Sequence, residues 1–342
     1  LLVSWRMAHR RLFQKNQPKI GALVLGNGDA GNRAFSLLNA QFSPFEAKGF
    51  LTEHPVAMLP SDGGSRIVGS LDNISEVAAR LGVKAIVMSQ PCNGCVQTTR
   101  KILEARLKGV EVLDMPALFE RLADRIPVQH IQDQWLLLAD GFNLLSSSYI
   151  QRIKRLADFT VALLLAVLST PIVAVTALAI RLESEGPVLY RQDRVGKGGR
   201  IFSVTKFRSM RSDAEAHGVK WAQKRDPRVT RVGRIIRMFR IDELPQIWNV
   251  LKGEMSIVGP RPERPEFVQQ LDEKIPYYSV RHTVRPGITG WAQVKYPYGA
   301  SLEDAQRKLE YDLYYIKNMS ILLDLKILLK KVGVVLLGEG AR

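Results

Sequence analysis

Three features of the sequence predict an α/β fold: alternating strand and helix patterns over residues 18–135, 22 uncharged residues from Phe159 to Ile180, and a basic second half punctuated by Pro and Gly. They divide the chain into an N-terminal Rossmann-like parallel sheet, a proline-broken re-entrant membrane helix over residues 149–182, and a mostly helical α+β membrane-associated domain over residues 183–342. A chain of 342 residues, 46% apolar and 24% charged, has the composition of a globular protein and the length for two domains. Its formal charge of +16 calls for an anionic partner: nucleic acid, acidic lipid headgroups or phosphorylated substrates.

Residues 1–17 open with Leu1-Leu2-Val3-Ser4-Trp5 and pass into Arg6, His9, Arg10 and Arg11. This reads as the cytoplasmic end of a membrane helix with its basic flank, with further membrane helices expected upstream; a short amphipathic lead-in is the alternative. Cys92 and Cys95 form a single CxxC, too few ligands for a zinc ribbon, so inert thiols in a reduced cytoplasm are expected over a redox or metal role.

In residues 18–135, strand patterns at Ile20 to Leu25, Ala47 to Leu51, Lys84 to Ser89 and Val110 to Leu113 alternate with helical patterns at Asn32 to Ala40, Ile74 to Leu81 and Thr98 to Leu107. That order predicts a parallel sheet. Gly26, Gly28 and Gly31 complete a GxGxxG directly after the first strand, where glycines let a pyrophosphate approach backbone amides. Either the loop binds a nucleotide or nucleotide sugar, or it is an architectural turn; Glu46 and Glu53 both flank the second strand without one being the evident ribose ligand.

The uncharged run passes the length test for a membrane helix. Ser169-Thr170-Pro171 lies near its middle, where the proline removes a backbone donor and the hydroxyls can take up freed carbonyls. Arg152, Lys154 and Arg155 precede the run and Arg181 follows it, so both flanks suit the cytoplasm. A helix that enters, bends at Pro171 and returns satisfies both; a kinked full span and a buried core helix compete with it.

Residues 191–240 carry 15 Lys or Arg against four Asp or Glu, which beside a membrane segment points to anionic lipids and substrate phosphates. No helix-turn-helix, zinc-finger or RNP-like pattern accompanies the charge, so nucleic acid is not the expected partner. Tyr311 to Leu337 reads as one amphipathic helix, lying at the interface or packed on the domain.

The chemistry concentrates in four short segments. Asp242 and Glu243 are adjacent carboxylates at the edge of the basic stretch; Arg261 is held between two prolines in Val-Gly-Pro-Arg-Pro; Arg285 opens Arg-Pro-Gly-Ile-Thr-Gly; Lys206 and Arg208 lie in Lys-Phe-Arg-Ser-Met. Stiffly held guanidinium groups grip phosphate oxygens, and a carboxylate facing a diphosphate needs such cations to offset repulsion.

In this order, after a proline-broken apolar segment, Lys-Phe-Arg-Ser-Met, Asp-Glu-Leu-Pro-Gln, Val-Gly-Pro-Arg-Pro and Arg-Pro-Gly-Ile-Thr-Gly resemble the bacterial sugar transferase family, the monotopic polyprenyl-phosphate hexose-1-phosphate transferases, over about residues 149–340. The preceding part resembles the accessory domain of the larger members. The resemblance implies a phosphoglycosyl transferase catalytic domain at residues 183–342, in which Asp242 takes a sugar phosphate from a UDP-sugar, releases UMP and passes it to undecaprenyl phosphate. It implies Mg²⁺ held by Asp242 and Glu243, with Lys206, Arg208, Arg261 and Arg285 binding phosphates, and a place on the cytoplasmic face of the bacterial inner membrane at the start of exopolysaccharide, capsule or O-antigen assembly. A homodimer is expected of a member with an accessory domain. The rivals are a sugar-nucleotide oxidoreductase or epimerase run by the GxGxxG, for which no clear Tyr-Lys pair is in evidence, and a nucleotide-sensing or tethering protein. None of the five histidines falls in the four segments, and Walker A, HExxH and DxD patterns are absent.

Overall fold

The computed structural model describes residues 18–52, 67–90, 96–142, 147–211, 228–296, 299 and 301–336. The expected membrane-helix end in residues 1–17, the thiols of Cys92 and Cys95, Glu53 and part of the basic stretch, residues 212–227, lie outside them. The chain forms two compact units, divided between Ile131 and Gln132.

The first unit is a five-stranded parallel sheet. Strands β1 (Ile20–Leu25), β2 (Phe45–Thr52), β3 (Ile67–Ser70), β4 (Ala85–Met88) and β5 (Glu111–Asp114) lie in the order β3-β2-β1-β4-β5. This is the doubly wound order, with its reversal between β1 and β4. Helices α1 (Asp29–Leu38), α2 (Ile74–Arg80), α3 (Val96–Leu107) and α4 (Met115–Ala123) cover its faces. The alternation of β1 decides which side chain goes where. Ala22 and Val24 pack with Ala34, Leu38, Leu118 and Phe119 of α1 and α4, while Leu23 and Leu25 pack with Ile74, Val77, Ile102 and Ala105 of α2 and α3.

The second unit begins with the short α5 (Asp133–Leu138) and the long α6 (Ser148–Glu183), 36 residues or about 54 Å. Ser169-Thr170-Pro171 predicts a break, yet α6 is one helix through all three. Ser169 and Thr170 turn their hydroxyls onto the Ala166 carbonyl, at 3.4 and 2.9 Å. This inward bonding satisfies the hydroxyls within the helix where the proline weakens it. Leu163, Leu164, Leu165, Val167, Leu168, Ile172, Val175 and Leu178 are exposed, so α6 is not a buried core helix. It is long and apolar enough to cross a membrane.

Both ends of α6 are nonetheless tied into the same unit. Near its start, the buried Asp158 carboxylate accepts from Ser256 Oγ (2.8 Å) and Ile257 N (3.1 Å), Arg155 donates to the carbonyls of Val250 and Leu251, and Lys154 pairs with Asp324 at 2.6 Å. At its end, Glu183 accepts from the backbone amides of Arg231 and Val232, and Ile180 packs against Phe207 and Ile236.

Beyond α6 come the antiparallel hairpin β6 (Leu189–Val195) and β7 (Ile201–Phe207), α7 (Arg231–Met238), a 3-10 turn over Ile241–Gln246, α8 (Ile247–Lys252), β8 (Ser256–Val258), α9 (Pro265–Lys274), β9 (Gly287–Thr289), α10 (Trp291–Lys295), α11 (Leu302–Lys317) and α12 (Ile321–Leu336). Where one helix is expected from Tyr311 to Leu337, the described residues up to Leu336 form two. The first ends at Asn318 and the second is opened by Ser320, whose hydroxyl accepts from Leu323 N, so the polar residues between them act as stop and start. Leu323 and Ile327 of α12 join the core around Trp291, Tyr315 and Val258.

Candidate active site

Three local devices bring the motifs together. The first is a close crossing of β8 and β9, which pair in parallel. A Cβ on Gly287 would lie 2.1 Å from the Gly259 amide nitrogen, and one on Gly259 would lie 2.5 Å from the Arg285 carbonyl. Only glycine permits this approach, so Val-Gly-Pro-Arg-Pro and Arg-Pro-Gly-Ile-Thr-Gly are pressed side by side by the residue type they share. The second is Asn249, almost wholly buried in α8, which donates to Ser203 O and accepts from Thr205 N and thereby clamps β7 beside the turn that carries Asp242. The third is Arg240, held in the left-handed region at φ 59° immediately before that turn. A non-glycine residue there is strained, and such strain collects at functional positions.

The result is an acidic pair inside a ring of cations. Glu243 is 6% exposed. One of its oxygens, Oε1, accepts from both Nη1 and Nη2 of Arg261 at 3.2 Å and lies 3.5 Å from Arg240 Nη1. Burial works to raise the Glu243 carboxyl, but Arg261, Lys206 and Arg240 outweigh it and hold the group at about 2. Asp242 behaves in the opposite way. Burial and the neighbouring Glu243 charge push its carboxyl up, against Lys206, Arg237 and Arg240, and its Oδ1 is buried without a hydrogen-bond partner among the described residues. One acid is thus neutralised and fixed, and the other is buried with an unpartnered oxygen.

Lys206, the penultimate residue of β7, is pushed down to about 8, first by burial and then by the nearby Arg261, with Glu243 opposing. Arg194 on β6 also acts on it; that guanidinium is anchored on Pro262 O at 3.0 Å. Lys331 reaches the same cluster from α12, with its ammonium lowered by burial and by Arg240. A support lies behind Arg261: Arg281 donates to the Arg261 carbonyl at 2.8 Å and pairs with the buried Asp312 at 2.9 Å.

Two residues expected among the phosphate ligands are placed differently. Arg208 is buried and donates to the carbonyls of Ser184 and Glu185 and to Ser184 Oγ, closing the C-terminal end of α6. Its neighbour in sequence, Lys206, points into the cluster instead. Arg285 donates through Nε to Gly253 O at the end of α8. In both cases helix-end carbonyls that lack intrahelical partners capture the guanidinium. Conversely, Arg194, Arg237, Arg240 and Lys331 join the cluster without being among the expected phosphate ligands. Arg240 was available from its place beside Asp242, but nothing in the sequence signals that Arg194 and Lys331, from remote elements, arrive at the same point.

The two carboxylates suit Mg²⁺, which takes one or two carboxylates and completes its shell with water and substrate phosphates. The unpartnered Asp242 Oδ1 is an oxygen such an ion could use. Among the described residues no cluster of three or more His, Cys, Asp or Glu offers an all-protein metal site.

In the first unit, Gly26 has φ 91°, and a Cβ on Gly31 would lie 2.2 Å from the Gly26 carbonyl, so these two glycines are needed for the turn and for packing α1 against β1. Gly28 caps α1 and faces open space, with its nearest neighbour, Gln90 Nε2, 3.9 Å from a Cβ. Asp29 follows in the first turn of α1, an acidic residue beside the helix N-terminus that disfavours a bound anion there.

The second unit thus carries an acidic pair ringed by cations together with an exposed apolar helix long enough to cross a membrane. The profile of the family described as "Bacterial sugar transferase" matches residues 149–338, and the chain belongs to this family. Curated relatives include a UDP-N-acetylgalactosamine-undecaprenyl-phosphate N-acetylgalactosaminephosphotransferase of Aeromonas hydrophila, 46% identical over 71% of this chain and 56% of its own length. An undecaprenyl-phosphate glucose phosphotransferase of Komagataeibacter xylinus is 38% identical over 78% of this chain and 51% of its own. A UDP-glucose:undecaprenyl-phosphate glucose-1-phosphate transferase of Escherichia coli strain K12 is 45% identical over 51% of this chain and 38% of its own. The chain spans about half the length of the first two.

Proposed function

We propose that the protein transfers a sugar 1-phosphate from a UDP-sugar to undecaprenyl phosphate at the cytoplasmic surface of the bacterial inner membrane. The observation that carries this reading is the Asp242 carboxylate, pushed up and left with a buried, unpartnered oxygen inside a cluster of cations. A carboxylate so placed can attack phosphorus: the ring of Lys206, Arg237 and Arg240 screens its repulsion from a diphosphate, and its raised basicity favours nucleophilic attack once ionised. In the first step an Asp242 oxygen bonds to the sugar-bearing phosphorus, the bond from that phosphorus to the bridging oxygen breaks, and UMP leaves with the bridging oxygen. In the second, an oxygen of undecaprenyl phosphate bonds to the same phosphorus and the Asp242 carboxylate departs. Glu243, neutralised by Arg261 and Arg240, fixes the guanidinium that faces the phosphates. Mg²⁺, when bound by Asp242 and Glu243, supplies further neutralisation of phosphate charge.

A water-soluble donor and a lipid acceptor meet only at an interface, and α6 offers the anchor. Its two ends are bonded to one compact unit, which supports a helix that enters and leaves the membrane on the same side, with the bend at Pro171 where the helix lacks a backbone hydrogen bond. The relatives' names divide between glucose and N-acetylgalactosamine, so the donor panel must hold both, with UDP-galactose added.

The test is transfer of label from these UDP-sugars into the lipid phase, with purified protein in nanodiscs, Mg²⁺ and undecaprenyl phosphate. Label should move, with UMP as coproduct, only when Asp242 is intact. No transfer from any donor by the folded protein, or full transfer by Asp242→Asn, would refute the proposal.

A further inference from the structure

One cation of the Asp242 cluster comes from a helix that also serves a second surface. Lys331 lies on α12, whose exposed Leu322, Leu325, Leu329 and Val332 recur every three or four residues and so share one apolar stripe. At about 100° per residue, Lys331 falls well away from that stripe, on the line of Asp324 and Ile327. Ile327 is fully buried in one core with Val258, which leads into the Arg261 loop, and Asp324 is tied to Lys154 and Tyr315. The inward line of α12 is thus anchored over its first two turns. One turn later it delivers Lys331 to a place where Arg240, Glu243 and Arg261 all act on the ammonium.

Among the described residues, none makes a hydrogen bond or salt bridge to the Lys331 ammonium. Glu243, the acid that acts on it, already accepts from both terminal nitrogens of Arg261 and faces Arg240 at 3.5 Å. An ammonium drawn inward without a close partner of its own suits an anion that a substrate brings. In-line displacement at phosphorus indicates which substrate, because the incoming and departing oxygens lie on opposite sides of the transferred group. When the Asp242 carboxylate departs, the incoming lipid phosphate lies on the side away from it. Lys206 acts on both carboxylates, and the strongest neighbours of Asp242 are Glu243, Lys206, Arg237 and Arg240. Lys331 acts instead on Glu243, so it lies within the cluster but apart from the nucleophile.

We propose that Lys331 holds the phosphate of the polyprenyl phosphate acceptor while that phosphate attacks the sugar-bearing phosphorus. The inference rests on the reading of the protein as a sugar 1-phosphate transferase, and it gives the acceptor a cation of its own. The acceptor arrives along the bilayer, against which an exposed apolar stripe lies when a helix rests in the membrane surface. One helix then meets lipid on its outer face and the lipid's phosphate on its inner one.

The experiment separates the two half-reactions, with the full chain in nanodiscs. Lys331→Gln should raise the KM for undecaprenyl phosphate about tenfold but slow acceptor-free exchange of UMP into the UDP-sugar only about twofold. Lys331→Arg, which keeps the charge, should bring the acceptor KM most of the way back. A second measurement decides even where the glutamine variant does not fold. In wild type, undecaprenyl phosphate should slow acylation of Lys331, read by mass spectrometry, about fivefold, and undecaprenol, which lacks the phosphate, should not. An unchanged acceptor KM in folded Lys331→Gln would overturn the proposal. So would a loss shared equally by exchange and transfer, which would make Lys331 a structural partner of Glu243. Protection by the UDP-sugar or by inorganic phosphate as strong as that by the lipid would also overturn it, since the site would then not be the acceptor's. Wild type that neither exchanges nor transfers would overturn the transferase reading and this inference together.

Discussion

Arg261 aims both of its terminal nitrogens at a single oxygen of Glu243, each at 3.2 Å. The pair joins the stiff Val-Gly-Pro-Arg-Pro loop to the turn carrying Asp242, so the nucleophile's position depends on an ion pair it does not itself make. Arg261→Ala leaves the buried Glu243 short of its principal counter-charge. A loss of about 2–3 kcal/mol in unfolding free energy is expected, less than the roughly 3–5 kcal/mol of a fully buried pair because the guanidinium is 35% exposed. Arg261→Lys keeps the charge without the two-nitrogen fork and should recover stability before it recovers turnover.

The same pair sets an acid limit. A carboxyl held at about 2 in the folded chain, against an ordinary 4.5, binds its proton more readily when unfolded. Its stabilisation is therefore complete above about pH 4.5 and is lost as pH falls toward 2. Wild type should lose unfolding free energy relative to Glu243→Gln across that window, as measured by denaturant titration at successive pH values. A difference between the two that stays constant from pH 5 to pH 3 would contradict the assignment.

Lys206 supplies the alkaline counterpart. Its ammonium is pushed down to about 8, so it gives up the proton where an ordinary lysine keeps it. If its charge holds substrate phosphate, the KM for the UDP-sugar should rise as pH passes 8 while kcat falls less. Lys206→Arg, which stays charged, should flatten that limb. An unchanged limb in Lys206→Arg would assign the titration to another group.

A covalent intermediate on Asp242 makes a claim independent of the lipid. With no acceptor present, the first step should run forward and back, so labelled UMP should enter the UDP-sugar pool. Asp242→Asn should abolish this exchange, a loss of at least about a thousandfold for a nucleophile. Exchange that requires undecaprenyl phosphate would point instead to direct attack by the lipid phosphate.

The sequence made some of this legible and hid the rest for physical reasons. Strand β1 was read to its exact ends because its alternating burial feeds two opposite helix layers and a glycine turn stops it. Asp242 and Glu243 stand just before Pro245 and Arg261 stands between Pro260 and Pro262, while Lys206 is marked only as a cation in Lys-Phe-Arg-Ser-Met; the fold brings all four together. Arg208, in the same motif as Lys206, and Arg285, followed by Pro and Gly, are claimed instead by the carbonyls at 184–185 and at Gly253, a competition that only tertiary placement reveals. Strands β8 and β9, three residues each, are too short to carry a period, and their pairing depends on a glycine contact between segments nearly thirty residues apart. Pro171 predicted an interruption, and the helix passes through it.

That continuity makes the two ends of α6 the sharpest remaining test. Asp158 near one end and Glu183 at the other are each bonded to backbone amides of the same unit, which holds both ends to one body. A helix spanning the bilayer would place exposed side chains before and after the apolar run on opposite faces. A membrane-impermeant maleimide applied to inside-out vesicles should therefore label both Arg152→Cys and Glu185→Cys, in a background where Cys92 and Cys95 are serine, and label neither from outside in right-side-out vesicles. Labelling of the two from opposite sides would establish a full span and would require the bonds at one end to break in the membrane. Asp158→Ala separates the anchor from the topology: loss of the Ser256 and Ile257 hydrogen bonds should cost about 1.5–3 kcal/mol and loosen α6 on the domain without changing which side either cysteine faces.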